Sequence, residues 1–163
     1  MMKPEFLAWY AGAFLLALAV LVVVHEMGHY LAARACNVKV LRFAFGFGKV
    51  IWMRRHGRDG TEWAISAFPL GGYVKMLDER EGEVAAQELP RAFNRLSVGR
   101  RAFIVAAGPA ANFLLAIVLY WLLFMHGVTE LKPRLGPPPA DTPAAMAGLG
   151  QGGTVRAVNG HAI

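Results

Sequence analysis

Two long uncharged runs constrain the fold of this 163-residue chain more than any other feature. Residues 6–24 form 19 consecutive positions without a charged side chain, and residues 102–125 form 24. As a helix, either run is long enough to cross about 30 Å of hydrocarbon. Hydrophobic residues make up 56% of the chain, and its mean hydropathy of +0.40 is high for a soluble fold. The sequence therefore predicts an α-helical membrane protein with two transmembrane helices.

The distribution of basic residues predicts the orientation of these helices. Of the 17 lysines and arginines, 13 lie between Arg34 and Arg101, in the segment that joins the two runs. Because basic loops remain in the cytoplasm, we expect residues 36–101 on the cytoplasmic side and both flanking segments in the periplasm. A signal peptide is disfavoured, since the amino terminus lacks a basic region. Basic residues at span ends favour the lipid bilayer as a partner and argue against nucleic acid.

Composition divides the chain into five predicted segments. They are a first transmembrane helix (1–35), a β segment with an interfacial approach to the second span (36–101), a second transmembrane helix (102–126), a proline-rich linker (127–143) and a glycine-rich end (144–163). Short alternating runs separated by Gly and Pro predict a small antiparallel β meander that ends near Met76. The acidic stretch 77–89 is predicted to be a solvated loop or surface helix. The lone Cys36 is expected to act as a small buried hydrophobe.

The chemistry-bearing motif is His25-Glu26-Met27-Gly28-His29. On a helix, its two imidazoles project from one face about one turn apart and could share a metal ion. Zn²⁺ would lower the pKa of a bound water to about 7, and Glu26 could accept the proton of that water during peptide hydrolysis. A chance match without metal is the alternative. A carboxylate in the membrane costs about 2.5–3.5 kcal/mol, so ionisable residues there favour a functional reading.

A catalytic zinc site typically has three protein ligands, and the third is not evident in this chain. His56 is predicted to lie in a cytoplasmic turn, His126 at the outer end of the second span and His161 in the outer segment. None of these positions is expected to reach His25 and His29.

Four motifs in order give the chain its resemblance to a known family. They are His25-Glu26-Met27-Gly28-His29, Phe45-Gly46-Phe47-Gly48-Lys49, Pro69-Leu70-Gly71-Gly72-Tyr73-Val74-Lys75-Met76 and Ala107-Gly108-Pro109-Ala110-Ala111-Asn112-Phe113. The chain resembles the site-2 protease family of intramembrane zinc metalloproteases. The resemblance implies that His25 and His29 bind Zn²⁺ and that Glu26 is the catalytic acid and base.

In that family the third ligand is an aspartate of an LDG motif on a later transmembrane helix. The Leu-Asp dipeptide of this chain, Leu77-Asp78, continues into Glu79 instead. The sequence is therefore expected to be the amino-terminal portion of a longer enzyme, with an incomplete metal site when taken alone.

The resemblance also implies substrate-binding residues. The β segment would be membrane-reentrant, and an exposed strand edge could pair with an extended substrate. Gly46 and Gly48 would allow close backbone approach, although ordinary turn glycines explain them equally well. Asn112 would engage the substrate or a developing oxyanion, the alternative being an interhelical hydrogen bond. Small residues of the second span are expected to let the helices pack closely: Ala106, Ala107, Gly108, Ala110 and Ala111.

The function expected from this resemblance is hydrolysis in or near transmembrane segments of membrane-anchored regulators. The substrates would be anti-sigma factors or remnant signal peptides, and the location a bacterial inner membrane. Residues 144–163 resemble the start of a periplasmic PDZ domain but are too few to complete one. Two alternatives remain: a catalytically inactive membrane interaction or scaffold protein that lacks the third zinc ligand, and a metal-handling membrane protein.

Overall fold

A computed structural model describes residues 3–127, 134, 136–150 and 153–162. The elements are α1 (Pro4–Ala35), β1 (Val40–His56), β2 (Thr61–Met76), two 3-10 turns (Leu89–Arg91 and Phe93–Arg95), α2 (Val98–Met125), α3 (Pro143–Met146), β3 (Ala157–Val158) and β4 (His161–Ala162). Two helices, over residues 5–35 and 98–125, are long and apolar enough to cross a membrane. This confirms the predicted pair of long apolar helices. Residues 1–121 and 122–163 form two compact units.

Helix α1 carries the metal motif and ends with a well-defined cap. Glu5 lies in its first turn and Arg34 in its last, so each charge interacts favourably with the helix dipole. Asn37 adopts a left-handed conformation with φ of 62°. Its N–H donates to the Arg34 carbonyl at 3.0 Å, and the Val38 N–H donates to the Ala33 carbonyl at 2.9 Å. This is the Schellman pattern, in which one left-handed residue reverses the chain and satisfies the last carbonyls.

Strands β1 and β2 form one irregular antiparallel hairpin in place of the predicted meander of short strands. Its outer part pairs His56 with Thr61. Nearer α1, Ala44 has two partners, Tyr73 and Ala64, so the first part of β1 lies between two parts of β2. Sequence breaks at glycine and proline suggested separate strands, but the bulged pairing continues through them. β2 ends at Met76, as predicted.

A small buried core joins the end of α1 to the sheet and to α2. The cluster consists of Ala32, Ala33, Val38, Val40 and Ile104, all at most 6% exposed. Ala33 and Val38 are also joined by the backbone hydrogen bond of the helix cap. The hydrophobic residues that accompany this type of cap are therefore part of the core. Cys36 is half-buried and packs against the cluster. The core therefore fixes α1 against α2 directly beside the metal motif.

The acidic stretch 77–89 is more firmly attached than the sequence predicted. The Asp78 side chain is only 9% exposed and forms an ion pair with Arg80. Hydrogen bonds from Arg80 hold the pKa of Asp78 below its ordinary value. At the other end, Glu88 forms an ion pair with Lys39, which precedes β1. Both ends of the stretch are thus fixed by charged partners, although much of it is exposed.

After α2, the described residues contain the short elements α3, β3 and β4. Thr142 caps α3, its side-chain oxygen accepting a hydrogen bond from the Ala145 N–H at 3.4 Å. β3 and β4 pair as a two-residue antiparallel ladder. The predicted linker falls partly outside the described residues, and the PDZ assignment stays a prediction.

Candidate metal centre

His25 and His29 face each other on α1. Their Nε2 atoms are 3.1 Å apart, and their rings lie edge to face at an interplanar angle of 79°. Two nitrogens that share a tetrahedral zinc ion at about 2.0–2.1 Å would be separated by about 3.3 Å. The observed spacing is close to that value, so the two side chains fit a shared zinc ion.

The second helix orients His29. Its Nδ1 atom lies 2.8 Å from the Ile104 carbonyl oxygen, which can only accept a hydrogen bond. Nδ1 therefore carries the proton, and the lone pair of Nε2 points toward His25. Metal-binding histidines commonly have such a partner, because it fixes the tautomer and the ring orientation. On the other side of the ring, a Cβ atom added to Gly108 would fall on the His29 imidazole.

Small residues allow α1 and α2 to approach closely at this level. A Cβ atom on Gly28 would overlap the Ala107 carbonyl and lie 2.8 Å from the Ala111 Cβ. Gly108 is buried, whereas Ala106 and Ala110 are exposed. The structure therefore places only part of the predicted set of small residues at the helix contact. The contact is local and involves Gly28 and His29 of α1 with residues 104–111 of α2.

Glu26 packs against strand β2. A Cβ atom added to Gly72 of β2 would lie 3.0 Å from Glu26 Cγ and 2.8 Å from the Ala44 carbonyl oxygen. The bare backbone of Gly72 is thus what allows β2 to pack on the half-buried glutamate. Sequence reasoning missed this contact, because a Gly-Gly doublet was interpreted as a turn. The doublet was nevertheless the available signal, since glycine marks close backbone approach as well as turns.

Asn112 lies one turn after Gly108 on α2, which places it on the same side of that helix. His29 contacts α2 at Ile104 and Gly108, whereas Gly28 contacts it as far along as Ala111. Asn112 therefore lies one helical turn beyond Gly108, the residue that contacts the His29 ring. Its Oδ1 atom is buried and has no hydrogen-bond partner among the described residues.

Gly46 and Gly48 occupy a bend in β1, with φ values of 85° and 84°. A Cβ atom on Gly46 would lie 2.6 Å from the Phe68 carbonyl oxygen, and one on Gly48 would lie 2.9 Å from the Phe68 ring. Both glycines are required for β1 to bend and pack on β2. Their role in substrate binding stays a prediction.

No group of three metal-binding side chains occurs within the described part of the chain. His56 is exposed at the end of β1. His126 and His161 belong to residues 122–163, and the His126 Nδ1 atom contacts the Leu122 carbonyl at 2.8 Å. The candidate centre described by the structure consists of two facing histidines, with Glu26 adjacent to the first of them.

Comparison with known proteins places this centre in context. Residues 13–158 match the model of peptidase family M50. The chain is 51% identical over 152 residues to the regulator of sigma-E protease RseP of Salmonella typhimurium, and 50% identical to that of Escherichia coli. In both cases the alignment covers 93% of this chain and 34% of the relative. A regulator of sigma E protease of Haemophilus influenzae is 46% identical over 153 residues, covering 94% of this chain and 34% of the relative. The chain spans about a third of the length of these relatives.

Proposed function

Because the chain belongs to peptidase family M50, we propose that the complete protein is a zinc metalloendopeptidase that cleaves peptide bonds within the membrane. The observation that carries this proposal is the 3.1 Å separation of the His25 and His29 Nε2 atoms on an apolar helix. A bound zinc ion would polarise the carbonyl of the substrate peptide bond and lower the pKa of a bound water. The completing ligand would come from outside the described residues.

The chain's own residues have separate roles in this reaction. His29, held by the Ile104 carbonyl, presents a fixed lone pair to the metal. Glu26 accepts the proton of the attacking water and passes it to the leaving amine. Asn112 offers a side-chain amide without a described partner, and we assign it to the substrate carbonyl or the oxyanion that develops from it.

The sheet supports a proposal for how a substrate is presented. In a transmembrane helix the backbone amides are already bonded to each other, so cleavage requires an extended segment. Residues 72–75 of β2 pair with β1 on one side only, within the described part of the chain. Gly72 in this segment packs against Glu26. We propose that the substrate adds as a strand along this free edge, with Gly46 and Gly48 as further contacts.

The proposed location is a bacterial inner membrane, which the protein crosses more than once. The amino terminus and the PDZ-like segment would be periplasmic and residues 36–101 cytoplasmic, in accord with the basic charge of that segment. The name of the relatives, regulator of sigma-E protease, supports a membrane-anchored anti-sigma factor as substrate. Remnant signal peptides are a second proposed substrate class.

The test uses the full-length protein, reconstituted in liposomes with a model transmembrane substrate. Glu26→Gln should lower the cleavage rate about 10²–10⁴-fold, the range typical of general acid and base catalysis, with zinc content unchanged. Glu5→Gln, in the first turn of the same helix, is the matched control and should cleave normally. Activity retained by Glu26→Gln would contradict the assigned proton transfer. Wild-type protein that binds zinc but cleaves nothing would favour the inactive scaffold.

A further inference from the structure

A second site lies at the carboxyl-terminal end of α1, away from the histidines. It is a cavity of about 440 Å³ lined by Arg34, Asn37, Arg58, Asp59 and Arg91. These residues come from the last turn and cap of α1, from the β1–β2 turn, and from the first 3-10 turn. We call it the arginine cavity.

The charges in the arginine cavity do not balance. Arg91 donates to both carboxylate oxygens of Asp59, at 2.8 and 2.7 Å, so these two residues neutralise each other. The same hydrogen bonds hold the pKa of Asp59 below its ordinary value and keep it ionised. Arg34 donates to the Tyr30 hydroxyl at 3.1 Å. In the part of the chain that the structure describes, neither Arg34 nor Arg58 has a carboxylate within ion-pairing distance.

A neighbouring cavity differs from the arginine cavity in how its charges are paired. That cavity, of about 490 Å³, is lined by four basic residues that each form an ion pair. The ion pairs are Lys39–Glu88, Arg42–Glu62, Arg55–Glu62 and Lys75–Glu81. Each cation of that cavity thus has a carboxylate partner, with Arg42 and Arg55 sharing Glu62, whereas Arg34 and Arg58 of the arginine cavity have none among the described residues.

The expected position of the arginine cavity relative to the membrane indicates which anion it binds. Arg34 is the first charged residue after the metal motif, so it marks the level at which α1 leaves the hydrocarbon. Its Nη1 atom reaches the β1–β2 turn, where a Cβ atom on Gly57 would lie 3.7 Å away. Phospholipid head groups lie at this level of a membrane. Guanidinium groups bind phosphate through two parallel N–H donors, which makes arginine well suited to such a group.

We propose that the arginine cavity binds the phosphate group of an anionic phospholipid through Arg34 and Arg58. Arg91, already held by Asp59, shapes the wall and does not bind the phosphate directly. The bound head group would join the end of α1 to the β1–β2 turn. This site needs α1 to enter a membrane, but it does not depend on peptidase activity.

The experiment measures lipid binding by the delipidated full-length protein in a zwitterionic detergent. Added dioleoylphosphatidylglycerol should raise the Tm in a saturable way, and phosphatidylcholine should not. An Arg34→Gln/Arg58→Gln double variant should need about 30-fold more lipid for half-saturation, since a basic residue near the membrane contributes about 1 kcal/mol. Arg54→Gln, an exposed arginine of β1 outside the cavity, is the matched control and should behave as wild type.

The outcomes distinguish a lipid phosphate from inorganic phosphate, and a wrong site assignment from a variant that does not fold. Inorganic phosphate alone, if it gave a saturable shift that the double variant lost, would support the site but assign it to a soluble phosphate. Equal half-saturation in wild type and the double variant would overturn the proposal. If the double variant fails to fold, Arg58→Gln alone should still bind about fivefold more weakly. Glu26→Gln should keep the full lipid response, so a failed peptidase assignment cannot be mistaken for a failed lipid site.

Discussion

Gly108→Ala should damage the metal centre although it adds only one methyl group to an apolar helix. The new Cβ would fall on the His29 imidazole, and it would lie 2.6 Å from Cε1 and 2.8 Å from Cδ2. The ring cannot move away freely, because its Nδ1 atom is bonded at 2.8 Å to the Ile104 carbonyl. Either the hydrogen bond or the helix contact must therefore give way.

The magnitude follows from two opposing effects. Replacing glycine by alanine inside a helix favours helix formation by about 1 kcal/mol. Overpacking a tight contact typically costs about 1–3 kcal/mol, and loss of a partner that orients a metal ligand weakens metal affinity by about 10–100-fold. We therefore expect a change of at most about 2 kcal/mol in stability but a zinc affinity at least tenfold weaker.

The assay is competition for zinc between the full-length protein and a chelator, with circular dichroism to verify helix content. Gly99→Ala is the control, since it lies in the first turn of α2 and a Cβ atom there meets nothing within 4 Å. It should leave zinc affinity unchanged. Equal zinc affinity in the Gly108→Ala and Gly99→Ala proteins would refute the claim that this contact positions the histidine.

Three further predictions concern the sheet and its connections. Gly72→Ala should lower the cleavage rate at least tenfold while zinc content stays normal, because its methyl group would displace Glu26 or separate the strands; unchanged activity in the liposome assay would contradict this. Asp59→Asn should cost about 1.5–3 kcal/mol, because charged hydrogen bonds to Arg91 are lost. The pKa of Asp59 is lowered in the folded state, so the ionised carboxylate stabilises the fold above about pH 3.8, and this stabilisation is lost as the pH falls further. Denaturant unfolding should therefore show that the free energy of unfolding falls more steeply with acid in wild type than in Asp59→Asn. A cysteine replacing Arg58 should resist an impermeant thiol reagent in intact cells, and ready labelling would overturn the proposed orientation.

The juxtaposition of His25 and His29 could be predicted because their spacing alone determines their relation on a helix. His25 and His29 lie on one face of any α-helix, whatever packs against it. The partner of His29 could not be predicted in the same way. It is a backbone carbonyl of Ile104, and every residue carries a carbonyl, so the sequence contains no distinguishing signal.

For the sheet, the sequence predicted the location of the strands but not how they pair. Alternating apolar residues indicated strands in the correct region, and the glycine and proline positions indicated interruptions. Those interruptions are bulges within two long strands, because pairing depends on residues distant in sequence. Likewise Asp78 was assigned to a solvated stretch by its acidic neighbours, but Arg80 allows its burial.

The hydrogen bond between His29 and Ile104 connects residues 75 positions apart, so a zinc ion bound as proposed by His29 would be coupled to the association of α1 with α2. Thermodynamic linkage requires metal binding to strengthen helix association by the same free energy by which helix association strengthens metal binding. Removing zinc with a chelator should accordingly weaken the association of α1 with α2, and amide hydrogens around Ile104 should then exchange faster with solvent. Zinc occupancy of the proposed site would then be detectable in the mobility of α2, which supplies neither histidine.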